Sequence, residues 1–261
     1  MIAKKSCSEQ FSEESWEYYT AVVGESRNLA ETVGRPAHCI GRGGNIWADV
    51  KKKFNLNGSG SFLDIGCGFG EVTQCMLQDP ECNNISFTLV DAPEILERIK
   101  VDFSSFLKDD TSLMPGYFPN NKNLIDIAKK FEYILAYSVL HCTDSPMEFI
   151  EGAVQLLAPG GKLLLGDFAN VHKKGRFLST TYGRKFEAKY KNIDLQDVPF
   201  YADQYAFVDE AVNHNKLIND DLLFNIIKVY RNKGYEVYVL PQPDDLPFSK
   251  TREDILIISL D

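Results

Sequence analysis

From about residue 60 onward, short apolar runs alternate with amphipathic stretches. Phe62-Leu63-Asp64-Ile65 enters a glycine cluster, and Val72, Cys75 and Met76 then recur at helical spacing, which predicts strand, turn and helix. Ile85 to Val90 (ISFTLV) is rich in β-formers and ends at Asp91. Pro93 follows in the first turn of a helix that carries Ile95, Leu96 and Ile99. Phe131 to Leu140 (FEYILAYSVL) is almost uninterruptedly apolar, the pattern of a strand buried on both faces of a parallel sheet. Ser145 or Asp144 can cap a helix with Phe149, Ile150, Val154 and Leu157 on one face, stopped by Pro159-Gly160-Gly161. Lys162 to Phe168 reads as the next strand.

After an insertion at about 170–218, Asp220 to Lys233 reads as a helix closed by Gly234, with strands at Tyr235 to Leu240 and Asp254 to Leu260. The link between those strands, PQPDDLPFSKTRE, is too short for a crossover helix, so they are expected to pair antiparallel. The leader, residues 1–57, has helical pieces at Trp16 to Tyr19, Glu25 to Val33 and Asn45 to Phe54, and no strand of its own. The expectation is one α/β domain: a mostly parallel sheet over residues 58–261 with an antiparallel C-terminal strand, helices on both faces, and a helical N-terminal cap.

Charge and composition narrow the function. With 28 Lys+Arg against 37 Asp+Glu the chain carries −9, whereas a dedicated nucleic-acid binder shows a basic surplus. Hydrophobic residues at 44% and charged residues at 25% fit an ordinary globular protein. MIAKKSCSEQF lacks the apolar segment of a signal peptide, and no later run approaches a membrane span, so neither export nor membrane association is expected. The six cysteines form no CxxC pair and read as reduced thiols of a cytoplasmic protein. His38, His141, His172 and His214 show no metal-ligand spacing, so no metal site is predicted.

The most informative residues are Asp64-Ile65-Gly66-Cys67-Gly68-Phe69-Gly70-Glu71, where glycine lets backbone approach a ligand closely. The spacing is GxGxG: Glu71 stands where a dinucleotide fingerprint needs its third glycine. No Lys-Ser/Thr pair follows, which excludes a P-loop. Asp91, 21 residues beyond Gly70 at the end of the second strand, suits a ribose diol.

FLDIGCGFGE, LVDAP, YILAYSVLH and LAPGGKLLLGD occur in the order found in class I S-adenosylmethionine-dependent methyltransferases, which the chain resembles over roughly residues 60–261. A weaker resemblance is to small-molecule methyltransferases of bacterial surface-carbohydrate pathways. The family resemblance implies S-adenosyl-L-methionine as cofactor. It sets Gly66, Cys67 and Gly68 along the methionine portion, Asp64 at its amino end, Asp91 on the ribose hydroxyls, and Ala92 and Pro93 beside the adenine. Further expected cofactor contacts are Tyr117 and Phe118 for the adenine, Tyr137 at the end of the fourth strand, and Arg42, an N-terminal arginine suited to the cofactor carboxylate. Arg42 reads equally as part of a glycine-rich linker beside a core Trp47. Cys67 reads as a small residue tolerated in a tight turn, not a reactive thiol.

Methyl transfer from a sulfonium requires alignment of the nucleophile, exclusion of water and, for some acceptors, removal of a proton. His141, directly after the fourth strand, is the candidate base, with a cofactor contact or packing as its alternative role. Asp167 and Asn170 do not match the adjacent pair expected of metal-dependent O-methyltransferases, so metal-independent chemistry is expected. Between His172 and Lys191 seven basic residues face Glu187 alone, a local +6 that leaves −15 for the rest of the chain. That cluster predicts a small anionic metabolite as partner, a sugar, sugar phosphate or similar precursor of a surface polysaccharide, contacted by Tyr19, His172, Lys173, Arg176 and Tyr182. The bland reading of the same window is a solvated helix face. A methyltransferase acting on RNA or protein, and a non-catalytic cofactor-binding module, stay open; a homo-oligomer is compatible with the sequence but not indicated by it.

Overall fold

The computed structural model describes residues 41–119, 121, 124, 129–210, 217–246 and 248–260. The first two predicted leader helices, and with them Tyr19, lie outside the described residues, as do His38 and His214. Seven strands form one sheet in the order 3-2-1-4-5-7-6. β1 (Ser59–Ile65), β2 (Asn84–Asp91), β3 (Ser112–Pro115), β4 (Phe131–Tyr137) and β5 (Leu157–Phe168) are parallel. β7 (Glu253–Ile258) runs antiparallel between β5 and β6 (Glu236–Pro241), as the short link between the last two strands requires.

Successive residues of a strand face opposite sides, and here both sides are covered. On β1, Phe62 belongs to one apolar layer with Phe87 and Tyr133, whereas Leu63 and Ile65 belong to the other. The first layer is closed by α1 (Gly43–Phe54), α2 (Glu71–Gln78) and α3 (Pro93–Asp102), the second by α4 (Pro146–Gln155) and α8 (Asp220–Asn232). Ile46, Trp47, Val50 and Phe54 make one buried face of α1, and the rings of Trp47 and Phe54 meet Phe62 edge-on at 5.9 and 5.7 Å. α1 is thus an integral part of the first layer. The insertion supplies α5 (Val171–Leu178), α6 (Thr181–Lys191), a 3-10 turn at Leu195–Asp197 and α7 (Gln204–Glu210). Asn170 caps α5 by accepting from the amides of His172 and Lys173. No helix among the described residues is long and apolar enough to cross a membrane.

Two predicted boundaries are corrected. β4 ends at Tyr137, not Leu140, because Ser138 takes a left-handed conformation (φ 60°) and turns the chain into a 3-10 turn at Leu140–Cys142. Pro159-Gly160-Gly161 does not stop a helix. α4 ends at Gln155 and the triplet lies within β5, where a Cβ on Gly161 would fall 2.8 Å from the Phe131 carbonyl oxygen.

Candidate cofactor and acceptor site

The turn between β1 and α2 stands at the carboxyl edge of the sheet, beside the end of β2. Gly66 (φ 70°) and Gly68 (φ 61°) are left-handed, and a Cβ on Gly66 would come within 2.7 Å of the Val139 side chain. The amides of Gly66 and Cys67 donate to the Val90 carbonyl at 2.8 and 3.3 Å. The Gly68 amide donates to Asp91 Oδ2 and the Ala92 amide to Asp91 Oδ1, each at 2.7 Å. Thr73 Oγ1 donates to the Cys67 carbonyl at 2.6 Å and closes the loop from its helical side.

Two carboxylates are buried here. Asp64 is 3% exposed and makes no side-chain hydrogen bond among the described residues; burial first, and then the charge of Asp91, pushes its pKa up to about 8. Asp91 is pushed up to about 6 by burial, against the pull of the Gly68 and Ala92 amides. Burial pushes the Cys67 thiol well above its ordinary range, so it stays protonated and inert near neutrality.

Glu71, the residue that breaks the dinucleotide spacing, ties a second segment to this loop. Its carboxylate accepts from the amides of Gly41 (2.7 Å) and Gly43 (3.0 Å). Gly43 lies so close that a Cβ there would meet Glu71 Cβ at 2.3 Å. The Arg42 side chain leaves in another direction and donates to the Asp245 carbonyl at 3.1 Å, while Asn45 Nδ2 donates to Asp245 Oδ2 at 2.8 Å. Residues 41–45 therefore bridge the glycine loop and the β6–β7 link. In this structure one nitrogen of the Arg42 guanidinium, Nη1, is engaged with that link.

The neighbouring strand ends carry a polar network. Asp167, at the bulge where β5 shifts register against β7, is left-handed (φ 58°) and 4% exposed. Its carboxylate accepts from Ser138 Oγ (2.9 Å), and its amide donates to Asp254 Oδ1 (2.8 Å). Asp254 also accepts from Gln242 Nε2 (2.9 Å) and from Lys53 Nζ (2.6 Å), which is shared with Asp49. None of these roles was legible from local sequence, since Ser138, Asp167, Gln242 and Asp254 meet only through strand pairing. For Glu71 a local signal existed, an acid in the first turn of a helix.

Of the remaining predicted cofactor residues, Ala92 is buried at the start of α3 and Tyr117 is 42% exposed just beyond β3. Tyr137 packs its ring against Gly166 on β5, with its hydroxyl 3.4 Å from Gln242 Nε2. Phe118 is corrected: it is buried against Phe149 of α4 at 5.0 Å between ring centroids, so its face is taken by the core. His141 lies half-buried in the 3-10 turn after β4.

The basic window is partly engaged within the protein. Arg176 is paired with Asp220, with Nη1 at 2.5 Å, and His172 Nδ1 lies 3.5 Å from the same carboxylate. Lys173 Nζ donates to the Arg252 carbonyl (2.6 Å) and lies 3.4 Å from Glu253. Lys191 pairs with Glu187, and Arg184 donates to the carbonyls of Leu195 and Val198. Acids and carbonyls, several brought in from remote segments, hold these four of the window's seven cations. Tyr182 is 62% exposed, with its ring edge-on to Phe177.

A parallel sheet with this strand order, a left-handed glycine turn and paired acids at the ends of β1 and β2 defines a Rossmann-like nucleoside-binding enzyme. S-adenosylmethionine fits these residues: the turn leaves no room for a Cβ at Gly66, and the buried, unbonded Asp64 carboxylate suits an ammonium group. A methyltransferase-domain family model matches residues 43–204, more than half of the chain, and the chain belongs to that S-adenosylmethionine-dependent family. Among curated relatives, malonyl-[acyl-carrier protein] O-methyltransferase of Haemophilus ducreyi is 26% identical over 110 residues, 41% of this chain and 40% of that protein's length. The chain thus matches less than half of that relative. An O-methyltransferase of Bacillus cereus solved with S-adenosylhomocysteine has a TM-score of 0.53 at 15% identity, covering 95% of this chain and 91% of that one. A Methanococcus maripaludis protein assigned as an S-adenosyl-L-methionine-dependent methyltransferase gives 0.53 at 14%, covering 100% and 98%. Both structures share the fold.

Proposed function

We propose that the protein transfers a methyl group from S-adenosylmethionine to an oxygen or nitrogen of a small, polar, anionic metabolite. The observation that carries the reading is the pair of buried carboxylates on one glycine turn: Asp91, organised by the Gly68 and Ala92 amides, and Asp64, without a hydrogen-bond partner among the described residues. In this reading Asp64 receives the cofactor ammonium and Asp91 the ribose hydroxyls. The cofactor supplies an activated methyl carbon when bound. The chain supplies position: the glycine turn sets the donor's place, the ends of β4 and β5 border it, and α5 of the insertion is tied to that edge through Asn170 and Lys173.

A sugar or sugar phosphate precursor of a surface polysaccharide would offer a hydroxyl or amine, and His141 would take its proton. A second reading is favoured by the partial likeness to malonyl-[acyl-carrier protein] O-methyltransferase. There the acceptor is a carboxylate, already a nucleophile that needs no base. One assay separates them. S-adenosylhomocysteine release is followed with two sets of acceptors, sugar phosphates and acyl thioesters bearing a free carboxylate, for the wild type and His141→Gln. Loss of about 100-fold or more in turnover on a hydroxyl acceptor marks a base, and unchanged turnover on a carboxylate marks the second reading. No turnover with either set, despite tight cofactor binding, would refute the proposal.

A further inference from the structure

We infer that Arg252 is the residue that recognises the anionic group of the methyl acceptor. This rests on the reading of an anionic acceptor proposed above, and it moves the recognising charge out of the basic insertion. Three of the cations there are occupied: Arg176 by Asp220, Lys173 by Glu253 and a backbone carbonyl, and Lys191 by Glu187.

Arg252 differs from them in place and in bonding. It immediately precedes β7, whose Glu253 is in register with Phe168, so it stands at the carboxyl end of β5. Its Nη1 reaches the Asp167 carbonyl at 3.2 Å and Asp167 Oδ2 at 3.4 Å, the same carboxylate oxygen that accepts from Ser138 at the end of β4. Asp167 thus joins Arg252 to the end of β4, two residues after which the 3-10 turn carrying His141 begins.

Only one of its nitrogens is used. Nε and Nη2 make no hydrogen bond among the described residues, the side chain is 21% exposed, and the guanidinium carbon lies 5.1 Å from the centre of the Phe248 ring. A ring beneath it and a loose carboxylate on one side orient the planar fork while leaving two donors for a carboxylate or phosphate. Asp167 does not depend on Arg252, since Ser138 holds its carboxylate at a shorter distance and Asp254 holds its amide. The contact can therefore be exchanged for a substrate oxyanion at small cost to the fold.

The test uses the full chain loaded with S-adenosylhomocysteine and titrated calorimetrically with inorganic phosphate and, separately, with malonate. Arg252→Met keeps an aliphatic stem on Phe248 and should weaken binding of the preferred anion roughly 10- to 100-fold, the value of one or two charge-assisted hydrogen bonds. Arg252→Lys should retain part of that affinity. Affinity for S-adenosylhomocysteine should be unchanged in both, and thermal melting confirms that each is folded. Lys173→Met and Arg176→Met should bind the anion as the wild type does. Wild-type anion affinity in Arg252→Met, or an equal loss in the Lys173 or Arg176 variants, would overturn the assignment. Wild type that binds S-adenosylhomocysteine but neither anion overturns it together with the anionic acceptor, whereas failure to bind S-adenosylhomocysteine refutes the cofactor site itself.

Discussion

Cofactor binding should expel a proton from Asp64. In the ligand-free protein this carboxyl is buried beside Asp91 with no hydrogen-bond partner among the described residues, and its pKa is pushed up to about 8 against about 6 for Asp91. At pH 7 the pair thus holds about 0.9 proton on Asp64, with Asp91 mostly ionised. A ligand ammonium brought against Asp64 favours its charged form and pulls that pKa down. About 0.9 proton should then leave per S-adenosylhomocysteine bound at pH 7, and affinity should rise nearly tenfold per pH unit between about pH 6 and 7.5. Calorimetry in MOPS and in Tris, whose ionisation heats differ, counts the protons directly. Asp64→Asn should abolish both the proton release and the slope.

The same shift has a stability sign. The fold favours protonated Asp64, so raising the pH from 3.8 toward 8 costs the ligand-free protein stability, at about 1.4 kcal/mol per pH unit from this group. Asp64→Asn should melt higher than wild type at pH 8 while binding the cofactor worse. Equal binding heats in the two buffers, with an affinity flat from pH 6 to 7.5, would refute the argument.

Other changes test the scaffold. Lys53→Met should cost about 3–5 kcal/mol in urea unfolding, because it strips Asp254, which is fully buried, of its cation; Lys53→Met with Asp254→Asn should recover much of that, and a loss under 1 kcal/mol for the single change would contradict it. Gly66→Ala and Gly160→Ala meet the same left-handed backbone, at φ 70° and 71°, but only Gly66 faces a neighbour, Val139 at 2.7 Å. Gly160→Ala should cost about 1 kcal/mol, and Gly66→Ala visibly more together with weaker S-adenosylhomocysteine binding; equal costs would mean that the contact is irrelevant. Glu71→Ala should release the Gly41 and Gly43 amides, read as faster hydrogen exchange at both, with exchange in β1 and β4 unchanged.

Features written over a few adjacent residues were legible without coordinates. FLDIGCGFGE specifies strand, turn and helix because an apolar strand, glycines able to take φ near 60–70°, and helical spacing lie within one short stretch. The eleven-residue link between β6 and β7 is too short for a crossover and so dictated the antiparallel C-terminal pair. β4 was legible as a buried strand but not its end, since the turn at Ser138 sits where the loop leaves the sheet against Gly166, whose carbonyl accepts from the Ser138 amide.

Charge was where sequence reasoning misled. A window of +6 looked like a recognition patch, yet two of its cations, Arg176 and Lys173, are held by Asp220 and Glu253, acids 44 and 80 residues away. Lys53 and Asp254 are 201 apart in the chain, and Arg42 and Asp245 are 203 apart. Local conformation depends on neighbours in the chain, so the sequence by itself determined the strands, the glycine turn and its acids. Which charges are spent on one another depends on proximity created only when the sheet closes, and that the tertiary structure alone decided.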